Sequence, residues 1–172
     1  SLGLSAWKSF GGNRWALRCN PSSGNLHPTE GYLLCPNLPG LSAGVYHYVS
    51  RDHTLERRAA LDHPRWSAAF EDDGVVLGLS SIYWREAWKY GMRAWRYCQH
   101  DCGHAIAALC YAAAIFGWQT RLLASASDEL VSALLGLDRE ADLGDAEPEA
   151  PDALLWVGLG TSRPKLEDMR EE

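Results

Sequence analysis

The sequence predicts an α+β fold, and three observations carry that expectation. Short apolar runs at residues 32–35, 44–49, 74–79 and 154–158 have the length and patterning of strands. Residues 82–100 and 103–117 carry a helical period instead. Strands and helices are interspersed without the regular alternation that builds a parallel sheet.

Taken in order, residues 1–20 are mixed, with Gly11, Gly12 and Asn13 marking a turn. Residues 21–30 are dense in turn formers and lead into the first short strand. The second strand, Gly44–Val49, alternates apolar with polar or aromatic residues between loops at 38–40 and 50–52. Residues 74–79 form a continuous apolar run, the pattern of a buried strand. From Ser81 the period changes. At 100° per residue Trp84, Trp88 and Trp95 cluster on one side, Arg85, Lys89, Arg93 and Arg96 form a basic stripe, and Tyr83, Tyr90 and Tyr97 form a third. Gly91 weakens the middle of that helix. The next helix, 103–117, is apolar almost all round and rich in Ala, which predicts a central helix buried on most faces. Residues 118–123 read as extended, and Ser127 caps a short helix that stops at Gly136. The acidic, Pro-containing stretch 138–152 reads as a surface loop before the last strand, and the polar tail from Thr161 as exposed or docked on a partner.

A chain of 172 residues favours one domain, with enough length to bury a core. Hydrophobic residues make up 47% and charged residues 22%, the ordinary globular mix, which argues against disorder. With 16 basic and 22 acidic residues the net charge is −6, which argues against non-specific nucleic-acid binding. No apolar run approaches the roughly 20 residues that cross a bilayer, and no signal peptide heads the chain. Five cysteines at irregular spacing suit a reducing cytosol, so a cytoplasmic protein is expected. There is no initiating Met, and Ser1 reads as a processed or truncated start. Eight Trp and seven Tyr stand beside three Phe. Aromatics with polar tips suit a ligand site as well as a core.

The segment Cys98-Gln99-His100-Asp101-Cys102-Gly103-His104 has the residue types of a metal site. On a helix, however, Cys98 and Cys102 share one face while His100 and His104 project about 160–200° away, so no metal site is expected. The segment from Arg18 to Pro28 carries more. The hydroxyls and backbone N–H groups of Pro21-Ser22-Ser23-Gly24 suit the carbonyl, ring-nitrogen or phosphate edge of an anionic cofactor, and Arg18 offers a bidentate fork. Such turns are also common as plain surface loops.

Arg18-Cys19-Asn20-Pro21-Ser22-Ser23-Gly24-Asn25-Leu26-His27-Pro28-Thr29-Glu30 resembles the signature of the nitroreductase superfamily in its SagB-type dehydrogenase branch, the azoline oxidases. The pattern continues through Gly44-Val45-Tyr46-His47-Tyr48, Lys89-Tyr90-Gly91-Met92-Arg93-Ala94-Trp95-Arg96 and Gly103-His104-Ala105, covering about residues 14–137. The resemblance implies a single nitroreductase-like domain over 1–172, with a central antiparallel or mixed sheet and a buried central helix. It implies FMN held at a homodimer interface, or between two halves of one longer chain. Pro21, Ser22, Ser23 and Asn25 match the flavin-touching stretch, with Gly24 between them, and His27 stands where relatives often carry Gln. A turn after the central helix, at Leu123, Ala124 and Ser125, is expected to offer backbone N–H groups to the reactive ring edge. Lys89 and Tyr90 match the catalytic Lys-Tyr pair, for which a buried lysine or a tyrosine beside an ammonium would serve as base.

The N-terminal Arg-Arg-Ser-x-Arg type motif that holds the FMN phosphate in relatives is not in the sequence, so either the start is missing or Arg14 and Arg18 substitute, with Arg163 and Lys165 as candidates for the phosphate contact that relatives make near the C-terminus. The implied activity is hydride transfer between FMN and a small heterocycle or azoline-bearing peptide. Two alternatives stand beside it: a generic nitroreductase or quinone reductase using NAD(P)H, and a non-catalytic flavin-fold module of a longer protein.

Overall fold

The computed structural model describes residues 4–61, 70, 74–139, 141 and 144–160. The chain opens with a hairpin of β1 (Ser5–Phe10) and β2 (Asn13–Arg18), turned by Gly11 and Gly12 at φ +58° and +83°. It stands apart from the main sheet as a two-stranded unit. Six strands then form an antiparallel sheet: β3 (Thr29–Cys35), β4 (Gly44–Val49), β5 (Thr54–Ala60), β6 (Gly74–Ser81), β7 (Gln119–Leu122) and β8 (Ala150–Gly158), in the order β5-β4-β3-β6-β8-β7. The helices are α1 (Trp84–Tyr90), α2 (Ala94–Ile115) and α3 (Asp128–Leu135).

The period-2 alternation of the strands sorts their side chains onto two faces. Tyr32, Leu34, Val45, Val76 and Leu154 face α3 in one core, while Leu79 and Leu155 face Cys102, Ala105 and Leu109 of α2 in the other. Helix α3 follows from its sequence. Ser127 Oγ accepts the Leu130 N–H at 3.3 Å, Asp128 and Glu129 lie in the first turn, and Gly136 ends it at φ +74°. It buries Leu130, Val131, Leu134 and Leu135, each worth about 1.5–3 kcal/mol.

This is the expected α+β architecture, an antiparallel sheet with a long helix, but several local expectations need correction. Residues 82–100 do not form one helix. Gly91, at φ +56°, breaks it, and a single 3-10 turn over Gly91–Arg93 joins α1 to α2, which runs on through Gly103. Helix α2 is not buried on most faces: it buries Ala94, Cys98, Asp101, Cys102, Ala105, Leu109 and Ala113 along one face and leaves Tyr111 and Ile115 exposed on the other. Trp84, Trp88 and Trp95 are 61%, 62% and 65% exposed, so they do not pack in the core of the single chain. No other part of the described chain covers them. The stretch read as an acidic loop enters strand at Ala150, and three of its acids pair with side chains of the sheet and of α1. Glu147 pairs with Arg85 at 3.1 Å, Glu149 accepts from Tyr32 and Ser80, and Asp152 accepts from Ser81. The hairpin and β5 are elements that the strand patterns did not announce. Among the described residues no helix is long and apolar enough to cross a membrane.

Candidate active site

The segment between β2 and β3 folds as a 3-10 turn, Ser23–Asn25, followed after Leu26 by one more residue of unusual backbone. Gly24, Asn25 and His27 have φ of +62°, +59° and +50°. The left-handed region is free to glycine and tolerable for asparagine; for the histidine it costs on the order of 1–3 kcal/mol. Side chains hold the conformation. Ser22 Oγ accepts the His27 N–H at 2.9 Å, and Asn25 Oδ1 lies 2.8 Å from His27 Nε2. Behind the turn sits Asp101 of α2, with 1% of its surface exposed, whose carboxyl accepts from the Ser22 hydroxyl and the Ser23 backbone N–H. One turn further along α2, His104 Nδ1 lies 3.2 Å from the Pro21 carbonyl, to which it donates when protonated there.

Lys89 and Tyr90 meet this turn from the other side. A Cβ placed on Gly24 would stand 2.6 Å from Tyr90 Oη and 2.7 Å from Lys89 Nζ. Two sequence motifs some 65 residues apart therefore touch, with the missing side chain of Gly24 making the room. The Lys89 ammonium lies 5.3 Å from the centre of the Tyr90 ring, and Tyr90 packs edge-on to Tyr97 at 4.6 Å. Tyr90 is half-buried. Lys89 is exposed, so the expectation of a buried lysine does not hold for the single chain.

Arg18 does not present a free fork. Its Nη1 donates to the Thr29 carbonyl at 3.0 Å and its Nη2 stands 3.7 Å from Glu30, deep in a charged network. Glu30 lies at the centre of that network, facing Arg85 at 2.5 Å and His47 at 3.1 Å. Burial pushes the Glu30 carboxyl up, but His47, Arg18 and Arg85 outweigh it and hold the group below the usual carboxylate range. Burial lowers the Arg18 pKa, as it does that of His27, whose imidazole the charges of Arg18 and Arg85 depress further. Arg85, read from sequence as part of a basic stripe, in fact turns inward to Glu30, Glu147 and the His27 carbonyl. Arg14 lies over the Trp7 ring at 4.2 Å on the exposed hairpin. Arg163 and Lys165 lie outside the described residues.

Leu123, Ala124 and Ser125 follow β7, where the Leu123 N–H donates to Leu154 at 2.9 Å. The register aligns Leu122 with Leu155, Leu77 and Leu33. This turn therefore opens at the same end of the sheet as Thr29, three strand spacings or about 14 Å to the side. The described chain does not bring it against the 21–25 turn.

Sequence reasoning missed two buried acids. Asp101 is one, and Glu86 of α1 is the other: it is fully buried, and neither carboxylate oxygen has a partner among the described residues. Burial, and then the neighbouring Asp101, raise its pKa. The thiols packed beside them are inert, with burial pushing Cys98 and Cys102 up to about 12. As the helical spacing requires, Cys98 and Cys102 point inward and His100 and His104 outward.

No protein-family model matches the chain. It is 32% identical over 133 residues to the trifolitoxin-processing protein TfxB of Rhizobium leguminosarum bv. trifolii, covering 69% of this chain and 35% of that protein. A crystal structure described as a nitroreductase from Anabaena variabilis superposes with a TM-score of 0.69 at 30% identity, over 90% of this chain and 32% of the other. A chain of the E. coli microcin synthetase McbBCD complex, solved with truncated pro-MccB17 bound, gives a TM-score of 0.72 at 22% identity over 94% and 61% of the two chains. A further structure described as a nitroreductase, from Ralstonia eutropha, gives 0.62 at 16% identity, over 85% and 64%. The chain thus spans about a third of the length of the TfxB and Anabaena proteins. It is a nitroreductase-fold protein, and its relatives are consistent with the SagB-like branch that its motifs resemble.

Proposed function

We propose that this chain is the FMN-binding oxidoreductase domain of a peptide-modifying enzyme, acting on azoline rings in a modified peptide. The observation that carries the reading is the meeting of Gly24 with the tips of Lys89 and Tyr90. The likeness to TfxB and to the microcin synthetase complex supports a peptide-derived substrate over a free nitro compound.

The exposed 21–25 turn fits the polar edge of a flavin. Asn25 is exposed and Ser23 half-buried, while Ser22 and Arg18 work from behind, holding the backbone. Leu123, Ala124 and Ser125 supply backbone groups at the same end of the sheet. When bound, FMN takes up or returns a hydride. Dehydrogenation of an azoline ring removes a proton as well as a hydride, and Lys89 and Tyr90 receive that proton, being the amine and hydroxyl that border the turn.

The site is completed by a second copy or by the other half of a longer chain. Trp84, Trp88, Met92 and Trp95, with Tyr111, Ile115, Phe116 and Trp118, are between 46% and 100% exposed. At roughly 150–250 Å² per aromatic side chain they leave on the order of 1,000 Å² of apolar surface, enough for a stable interface. Lys89 follows Trp88 on α1, so a partner seated on the tryptophans borders the lysine.

The visible spectrum of the purified protein, before and after reconstitution with FMN, tests the reading. A yellow protein that does not oxidise NAD(P)H but dehydrogenates a thiazoline-containing peptide is the expected result, with Lys89→Ala and Tyr90→Phe abolishing turnover and keeping the flavin. Rapid NAD(P)H oxidation with a nitro compound would make it a generic reductase. Failure to take up FMN would make it a non-catalytic module.

A further inference from the structure

Two candidates outside the proposed site carry nothing by themselves: the Glu86 carboxyl has no route to solvent, and the exposed His100 and His104 pair has no third ligand among the described residues. The Asp101 side chain carries more, because of what it touches. It is a charged residue on the buried face of an apolar helix, and its contacts leave the helix altogether for the backbone and side chain of the 21–25 turn.

We infer that Asp101 is a positioning residue that holds the 21–25 turn against Lys89 and Tyr90, anchoring Ser22 and Ser23 directly and His27 through Ser22. The Ser22 hydroxyl donates to Asp101 and at the same time accepts the His27 N–H, so the carboxyl also governs the left-handed residue at the end of the turn. The Ser23 N–H donates to it directly. His104, one helical turn on, adds its contact to the Pro21 carbonyl, so that α2 grips Pro21, Ser22 and Ser23 in sequence. Gly24 is the next residue, and it meets Tyr90 Oη and Lys89 Nζ. A chain with left-handed conformations at 24, 25 and 27 does not hold that shape unaided, and a buried carboxyl receiving two donors from the turn fastens it from behind. Burial raises the Asp101 pKa against the lowering effect of its two donors, and the neighbouring acid Glu86 is raised by burial and by Asp101 with no hydrogen-bond donor to offset it. His100 and His104 are the other titratable groups acting on Asp101.

The role rests on reading the turn and the Lys89–Tyr90 pair as one site, but its test has an arm independent of flavin. Amide hydrogen exchange of wild type, Asp101→Asn and Ser22→Ala is followed by mass spectrometry over residues 20–27, with β6 and β8 as internal references. We expect exchange at 20–27 to quicken at least about 10-fold in both variants while β6 and β8 stay at wild-type rates, and FMN affinity, measured by quenching of flavin fluorescence, to weaken by a similar factor. If exchange at 20–27 is unchanged, or quickens no more than it does across the sheet, Asp101 is merely a buried structural acid. Should Asp101→Asn fail to fold, Ser22→Ala decides the matter by the same criterion. A wild type that takes up no FMN would overturn the proposed function and leave the exchange result to stand or fall alone.

Discussion

The contact between Gly24 and the Lys89–Tyr90 pair can be measured without substrate or cofactor by giving Gly24 a methyl group. In Gly24→Ala the new Cβ starts 2.6 Å from Tyr90 Oη and 2.7 Å from Lys89 Nζ, so both tips must retreat by about 0.7–0.8 Å to reach ordinary contact near 3.4 Å. Lys89 is exposed and swings away at little cost. Tyr90 is held edge-on to Tyr97, and losing that pair costs about 0.5–1.5 kcal/mol. The left-handed φ of +62° adds about 1–2 kcal/mol for any residue with a Cβ. Gly40 separates the two contributions: its φ is +81° and nothing lies within 4 Å of its Cβ position, so Gly40→Ala carries the backbone cost alone. The assay is thermal or urea unfolding of both variants, each also combined with Tyr90→Phe. At about 2–4 °C per kcal/mol for a chain of this size, Gly24→Ala should melt a few degrees below Gly40→Ala. Tyr90→Phe should narrow that gap and leave Gly40→Ala untouched. Equal losses at the two glycines, with no dependence on Tyr90, would refute the contact on which the proposed site is built. In the working enzyme a displacement approaching 1 Å at two proton-handling groups should cost on the order of 100-fold in rate, far more than the stability change suggests.

Three other outcomes follow from the same geometry. Glu30→Ala strands Arg18 inside the network and should destabilise the fold by about 3–5 kcal/mol in urea unfolding; a loss below about 1 kcal/mol would mean the network is solvated. Asp152 is raised to about 6 from 3.8, first by burial, so the folded protein holds this proton more tightly than the unfolded chain. Its contribution is therefore present at low pH and declines as pH rises from about 4 through 6, and Asp152→Asn should remove that decline from the stability profile without a new one appearing. Trp88→Glu with Trp95→Glu places charge in the exposed aromatic face and should weaken self-association at least about 100-fold in sedimentation equilibrium, with the monomer still folded; unchanged association would put the interface elsewhere.

How far the sequence announced this structure depends on what each residue's neighbours are. The 21–25 turn was legible because Pro, Ser and Gly encode backbone shape locally, and the short helix at 128–135 because Ser127 and Gly136 punctuate it. Strand β5 was not, since Thr-Leu-Glu-Arg-Arg-Ala-Ala has no alternation: it is an edge strand, almost wholly exposed. The exposure of the tryptophans of α1 and α2 was not legible, because periodicity reports which residues share a helix face and never whether another surface covers it. Asp101 was hidden inside a stretch whose Cys and His residues suggested a metal. The signal was available: it lies three residues after Cys98 and four before Ala105, both on the buried face, and an acid on that face requires a donor. Arg85 was misplaced because its partners, Glu30 and Glu147, lie 55 and 62 residues away.

The ends of the six-stranded sheet carry one more consequence. An open sheet with two bare edges recruits further strands, from other molecules or from misfolded copies of itself. Here β5 lines one edge with Glu56, Arg57 and Arg58, and β7 at the other is only four residues long and contains Arg121. Both edges are thereby unfavourable for adding strands, whereas the broad aromatic side of α1 and α2 is left open. Contact between molecules is steered to the helices that border Lys89 and Tyr90, so encounters that would extend the sheet into fibres are disfavoured by the same surface design that brings a partner to the reaction centre.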